Sequence, residues 1–131
     1  MRGGHVLING LGLGMVATAI LEATNDDGSY AVEKVTVVEI APEVVALVAR
    51  TLKARYGDRI EIVTADAFTY KPPKGEQFSV VWHDIWPNLC TDNLKTMGTL
   101  HRRYGRRCDW QGSWGKELLK SHRRRERAQG W

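Results

Sequence analysis

Four short runs rich in β-branched and apolar residues, "HVLING", "KVTVVEI", "RIEIVTAD" and "FSVVWHD", recur along the chain, each separated from the next by enough residues to cross back over a sheet. This alternation constrains the fold more than any other feature. Strands joined by crossovers of that length lie parallel, and the connecting segments cover both faces of the sheet. After the first run, "MVATAILEAT" carries apolar residues three and four apart and is stopped by the turn residues of "NDDGS". After the second, "APEVVALVARTLKARYG" places Pro42 in a first helical turn, Glu43 near the positive end of the dipole and Gly57 as a stop. The third crossover, "AFTYKPPKGEQ", reads as a long loop because Pro72 and Pro73 forbid regular structure.

Beyond the fourth run, "TDNLKTMGTLHRRYG" reads as a helix capped by Thr91 or Asp92 and stopped by Gly105. "RRCDWQ" then reads as a fifth strand, polar enough to lie at a sheet edge. The sequence closes on "SWGKELLKSHRRRERAQ", expected as a basic helix over residues 113–129 capped by Ser113. The expectation is one domain over residues 1–131: an α/β, Rossmann-like, doubly wound and mostly parallel sheet of about five strands, in the order 3-2-1-4-5.

With 43% hydrophobic and 26% charged residues, the composition is that of a soluble globular domain and excludes a disordered or fibrous chain. No apolar run reaches the roughly 18 residues of a membrane span, and the N-terminus lacks the order of a signal peptide, so a cytoplasmic protein is expected. Cys90 and Cys108 are the only cysteines, too few and too far apart for a disulfide framework or a zinc site, and no metal is expected. From His101 onward there are ten basic residues against three acidic ones, within a chain whose net charge is only +4. Such a segment either attracts nucleic acid through its phosphates or is a solvated helix end.

The stretch "VLINGLGLGM" puts Gly10, Gly12 and Gly14 on the turn after the first strand, at the carboxyl edge where ligands bind doubly wound sheets. Glycine there permits positive φ and lets a ligand approach the backbone. A dinucleotide fingerprint would have its third glycine at position 15, which is Met15, and no Gly-Lys-Ser/Thr follows as in a P-loop. Glu39 ends the second strand, where a carboxylate can accept both hydroxyls of a ribose. "ADAF", residues 65–68, ends the third strand with a short acidic side chain that can accept from an exocyclic amine, beside a backbone N–H that can donate to a ring nitrogen. Phe68 either packs on that ring or fills the core. The fourth strand ends in "WHDIWP", with His83, Asp84 and two tryptophans. Four successive strands thus end in residues suited to one nucleoside-bearing ligand.

These motifs resemble those of the class I S-adenosylmethionine-dependent methyltransferases, and within them the spermidine synthase-like branch. The residues that carry the likeness are "VLINGLGLG", "VTVVEIAPEVV", "ADAFTY", "FSVVWHDIWP" and "CDWQGS". The resemblance implies that Asn9, Gly10, Gly12 and Gly14 lie by the methionine part and ribose of S-adenosylmethionine, that Glu39 holds the ribose hydroxyls and that Ile40 packs on the adenine. It implies that Asp66 takes the adenine amine, that Ala67 adds a backbone contact with Phe68 beside it, and that Asp84 is both a cofactor contact and the base that receives the acceptor's proton. His83 and Trp86 are expected to line the acceptor pocket, with His83 a second catalytic candidate or a strand-end histidine satisfied by backbone.

Two departures are visible: Ile8 stands where many methyltransferases have an acidic residue, although the spermidine synthase-like branch also has an apolar residue there, and "DIWP" replaces the branch's second Asp-Pro pair. The superfamily's closing antiparallel hairpin has no counterpart in the sequence, so a C-terminally shortened sheet with an exposed edge is expected, and with it a homodimer. The activity this implies is methyl transfer, leaving S-adenosylhomocysteine as product. Aminopropyl transfer, cofactor breakdown, and a module that binds cofactor or nucleic acid without catalysis remain the alternatives.

Overall fold

A computed structural model describes residues 4–85 and 93–113. Five strands, β1 (Gly4–Asn9), β2 (Val32–Glu39), β3 (Ile60–Thr64), β4 (Phe78–His83) and β5 (Cys108–Ser113), form one sheet in the order β3-β2-β1-β4-β5. Every neighbouring pair is parallel. The helices are α1 (Met15–Glu22), α2 (Pro42–Tyr56), continued by a single 3-10 turn over Gly57–Arg59, and α3 (Asn93–Tyr104). The sheet is the Rossmann-like arrangement that the alternation of strands and crossovers requires.

The two faces follow from the period-two alternation of β1. Val6 and Ile8 point to one side, where they meet Val35 and Val37 of β2, Ala17 and Leu21 of α1, and Val48, Leu52 and Tyr56 of α2. Leu7 points to the other, where it meets Val38, Phe78 and Val81 and the inner stripe of α3, Leu100 and Tyr104. Being covered on both faces is what makes β1 a continuous apolar run.

Local signals set most element ends. Pro42 begins α2 with Glu43 in its first turn, and Gly57 ends it at φ +56°. α1 stops at Glu22 rather than running to Thr24, because Thr24 leaves the helix to form an isolated antiparallel bridge with Tyr30. The fifth strand runs further than the expected Gln111. Pairing runs from Phe78 with Cys108 to His83 with Ser113, so Ser113 is the last residue of β5, and the residues it was expected to cap lie outside the described ones. Its hydroxyl lies 2.7 Å from the His101 Nε2. The rest of the expected basic helix, the caps Thr91 and Asp92, Trp86 and Cys90 lie outside the described residues.

Leu7, fully buried at the centre of the sheet, reports on this packing most directly. Leu7→Ala is expected to lower unfolding free energy by about 3 kcal/mol, read from the urea midpoint at constant slope.

Candidate functional site

A cavity of about 560 Å³ opens at the carboxyl ends of the strands, and Gly10, Gly12, Glu39, Asp66, Ala67 and Asp84 line it together with Val38, Ile40, Ala65, Phe68 and Ile85. Its position follows from the strand order: β2 lies on one side of β1 and β4 on the other, so their outgoing chains diverge and leave a crevice.

The turn after β1 is built by three glycines with three different jobs. Gly10 has φ +106° and donates its N–H to the Val38 carbonyl at 2.8 Å. A Cβ there would run into the backbone carbonyl of Asp84, so only glycine lets β1 leave between its neighbours. Gly12, at φ +53°, has nothing within 4 Å of where a Cβ would project, and its bare backbone faces the cavity. Gly14 is the N-cap of α1 and does not line the cavity. A Cβ on it would stand 3.0 Å from Leu52 and 3.2 Å from Val48, so its small size serves the close approach of the turn to α2.

Glu39 braces this turn. Its Oε1 accepts the Leu11 N–H at 2.9 Å and its Oε2 accepts the Ala41 N–H at 3.0 Å, tying the glycine turn to the entry of α2. A carboxylate offers about four lone-pair directions, so each oxygen keeps acceptor capacity for a ligand. Ile40, 64% exposed, forms an apolar lip beside it.

At the end of β3 the backbone turns through residues 65–70. The Ala65 N–H bonds the Glu39 carbonyl at 3.0 Å, and the Asp66 carbonyl accepts the N–H groups of Thr69 and Tyr70. Asp66 Oδ1 accepts the Phe68 N–H at 2.9 Å. Among the described residues nothing occupies Asp66 Oδ2 or the Ala67 N–H, and both residues line the cavity. An unengaged acceptor and donor therefore sit one residue apart, the pairing that the edge of an aminopurine requires.

Asp84 follows β4, its N–H bonded to the Asn9 carbonyl at 2.8 Å. It lines the cavity, and burial raises the pKa of its carboxyl above the ordinary aspartate value.

Besides Gly14, two expected site residues do not reach the cavity. His83 is fully buried on the α3 side of the sheet. Its Nδ1 meets the Asn9 Nδ2 at 2.9 Å and its Nε2 meets the Gln111 Oε1 at 3.0 Å, while Gln111 donates to the His101 carbonyl at 2.6 Å. The amide donor on Nδ1 makes that nitrogen the acceptor and leaves the proton on Nε2. His83 is thus placed in an interior network linking β1, β4, β5 and α3, and not where it would act on a substrate. Asn9 belongs to the same network; its side chain is turned away from the cavity, although its backbone carbonyl helps to place Asp84. Tyr104 is a residue the sequence reading passed over: its hydroxyl, buried under the cavity wall, donates to the Ala67 carbonyl at 2.6 Å. Its spacing from Met97 and Leu100 marks an inward position on α3, but not the carbonyl it would find.

Two expectations follow. Gly12→Ala costs only the left-handed backbone penalty, about 1 kcal/mol, in the urea midpoint, whereas Gly10→Ala adds a collision with the Asp84 carbonyl and costs clearly more. A carboxyl whose folded pKa is raised binds its proton more tightly in the folded state, so Asp84 stabilises the protein less as pH climbs from the ordinary carboxylate value through the raised one. Asp84→Asn removes that downward slope, and urea midpoints of both proteins across this pH window measure it.

No family model matches the sequence, and no curated protein matches it. Solved structures do match. The CcbJ methyltransferase from Streptomyces caelestis superposes with a TM-score of 0.59 at 20% identity, over 82% of this chain and 39% of its own. An MtNAS variant in complex with S-adenosylmethionine gives 0.54 at 20% identity, over 77% of this chain and 35% of its own. The [4+2]-cyclase SpnF gives 0.51 at 20% identity, over 63% and 28%. The chain therefore spans well under half the length of the structures it matches. What it shares with them is the Rossmann-like fold, a fold that carries methyl transfer in one of these proteins and a cyclisation in another.

Proposed function

We propose that the chain is an S-adenosylmethionine-dependent methyltransferase of the class I kind. One observation carries the reading: a carboxylate braced by two backbone N–H groups, Glu39, and an unengaged donor and acceptor, Ala67 and Asp66, line one cavity over the open backbone of Gly12. These are groups that the ribose, the base and the amino-acid part of such a cofactor need. That one similarly folded protein is a methyltransferase and another is in complex with S-adenosylmethionine supports the same reading.

In this reading Glu39 accepts the ribose hydroxyls, Asp66 Oδ2 accepts the exocyclic amine and the Ala67 N–H donates to the base. Ile40 and Phe68 supply apolar cover, which excludes water from the site. When bound, the cofactor supplies a methyl group already activated on a sulfonium. What remains for the protein is alignment, a dry approach and a place for the acceptor's proton. Asp84 provides that place, since its raised pKa makes it a better base than an ordinary carboxylate. With Ile8 apolar and buried, Asp84 is also the carboxylate in the cavity wall that can pair with the cofactor's ammonium group. The likeness to the spermidine synthase-like branch rests on this strand-four aspartate.

Calorimetric titration with S-adenosylmethionine and S-adenosylhomocysteine tests the proposal. Saturable binding of both is expected, weakened about tenfold or more by Glu39→Gln, whose amide cannot accept from both Leu11 and Ala41. Absence of binding to either compound at millimolar concentration contradicts it.

A further inference from the structure

The loop that carries the unengaged donor and acceptor has no regular structure of its own, so something else must hold it. It is held from below by the last two residues of α3. Arg103 Nη2 donates to the Tyr70 carbonyl at 2.6 Å from the protein surface. Tyr104, only 1% exposed, donates its hydroxyl to the Ala67 carbonyl at 2.6 Å.

The second of these bonds has an effect beyond satisfying a buried hydroxyl. The carbonyl of Ala67 and the N–H of Phe68 belong to one peptide unit, which is planar and points its two polar ends in opposite directions. Tyr104 holds the carbonyl end from the α3 side, and Asp66 Oδ1 accepts from the N–H end at 2.9 Å. Hydroxyl, peptide and carboxylate form a chain of hydrogen bonds in which each link polarises the next. The orientation of the peptide fixes which oxygen of Asp66 is occupied and which is left to the cavity.

From this geometry we infer that Tyr104 is a positioning residue for base recognition: through the peptide joining Ala67 to Phe68 it aims the Asp66 carboxylate, and so sets the preference for an aminopurine over an oxopurine. The inference rests on the cofactor reading above in what the aspartate meets, but not in how the loop is held. Arg103 secures the far end of the same loop.

Two measurements on the full chain separate these parts. Hydrogen exchange of the protein alone reads the loop. In Tyr104→Phe, which keeps the ring and its packing, the Phe68 amide is expected to exchange about fivefold faster while amides of β1 and β2 do not change. Unchanged exchange at Phe68 overturns the inference. Calorimetry with S-adenosylhomocysteine and S-inosylhomocysteine, which differ only in the base, reads the recognition. The unaltered protein is expected to prefer the adenosyl compound, and Tyr104→Phe to lose about threefold to tenfold of that preference. A variant that is merely less stable weakens both compounds alike, so an unchanged preference also overturns the inference. If the unaltered protein binds neither compound, the cofactor reading fails and the exchange result alone decides how the loop is held. If Tyr104→Phe does not fold, Arg103→Met, altered only at the surface, takes its place. About a twofold loss of preference or faster loop exchange then supports the account, and no change in either overturns it.

Discussion

β1 is pinned between two parallel partners, β2 and β4, and both faces of it are buried. Everything at the carboxyl edge depends on that constraint. A chain leaving such a strand has neighbours on either side whose own exits diverge, and the gap between them is the cavity. The exit itself is so confined that Gly10 donates to Val38 on one side while its missing side chain makes room for the Asp84 carbonyl on the other. The positive φ of Gly10 is therefore a packing requirement first. The opening over Gly12, where a Cβ would meet nothing, is what that requirement leaves available to a ligand.

The polar groups around this gap serve the fold and the site together. Glu39 holds the glycine turn to the start of α2 with both carboxylate oxygens, and still has lone pairs to offer. Asp66 closes its own turn with one oxygen and leaves the other unengaged. Behind the wall, the network of Asn9, His83 and Gln111 joins the ends of three strands in a region where unpaired polar atoms would be costly. The division is spatial: groups on the cavity side keep spare capacity, and those on the α3 side bond one another, with the buried Asn9 Oδ1 the exception among the described residues.

Much of this was legible in the sequence. That the strands run parallel follows from the crossover lengths, and Glu39, Asp66 and Asp84, picked out as strand ends, do line one cavity. Gly10 and Gly12 have the positive φ expected of that turn and line the cavity. Other features were not legible, for physical reasons. Gly14 looks identical to Gly12 in the sequence, yet answers to Leu52 and Val48 on a helix more than thirty residues away. His83 precedes Asp84 directly, but consecutive strand residues face opposite sides, and that alternation sends the histidine inward. β5 runs through Ser113, past the expected end at Gln111, because its length is set by pairing with β4 and not by the polarity of its own residues. Tyr104 carries no local sign of its role, since its partner lies 37 residues away.

The central claim is that the glycine turn, Glu39 and the loop at Asp66 form one recognition surface for a nucleoside-bearing cofactor. Titration of the isotopically labelled protein with S-adenosylhomocysteine, followed by amide NMR, tests it most directly. Saturable shifts concentrated at Leu11, Gly12, Ala41, Ala67 and Asp84 are the expected result. Saturable shifts clustered elsewhere, with these amides unmoved, would contradict the account.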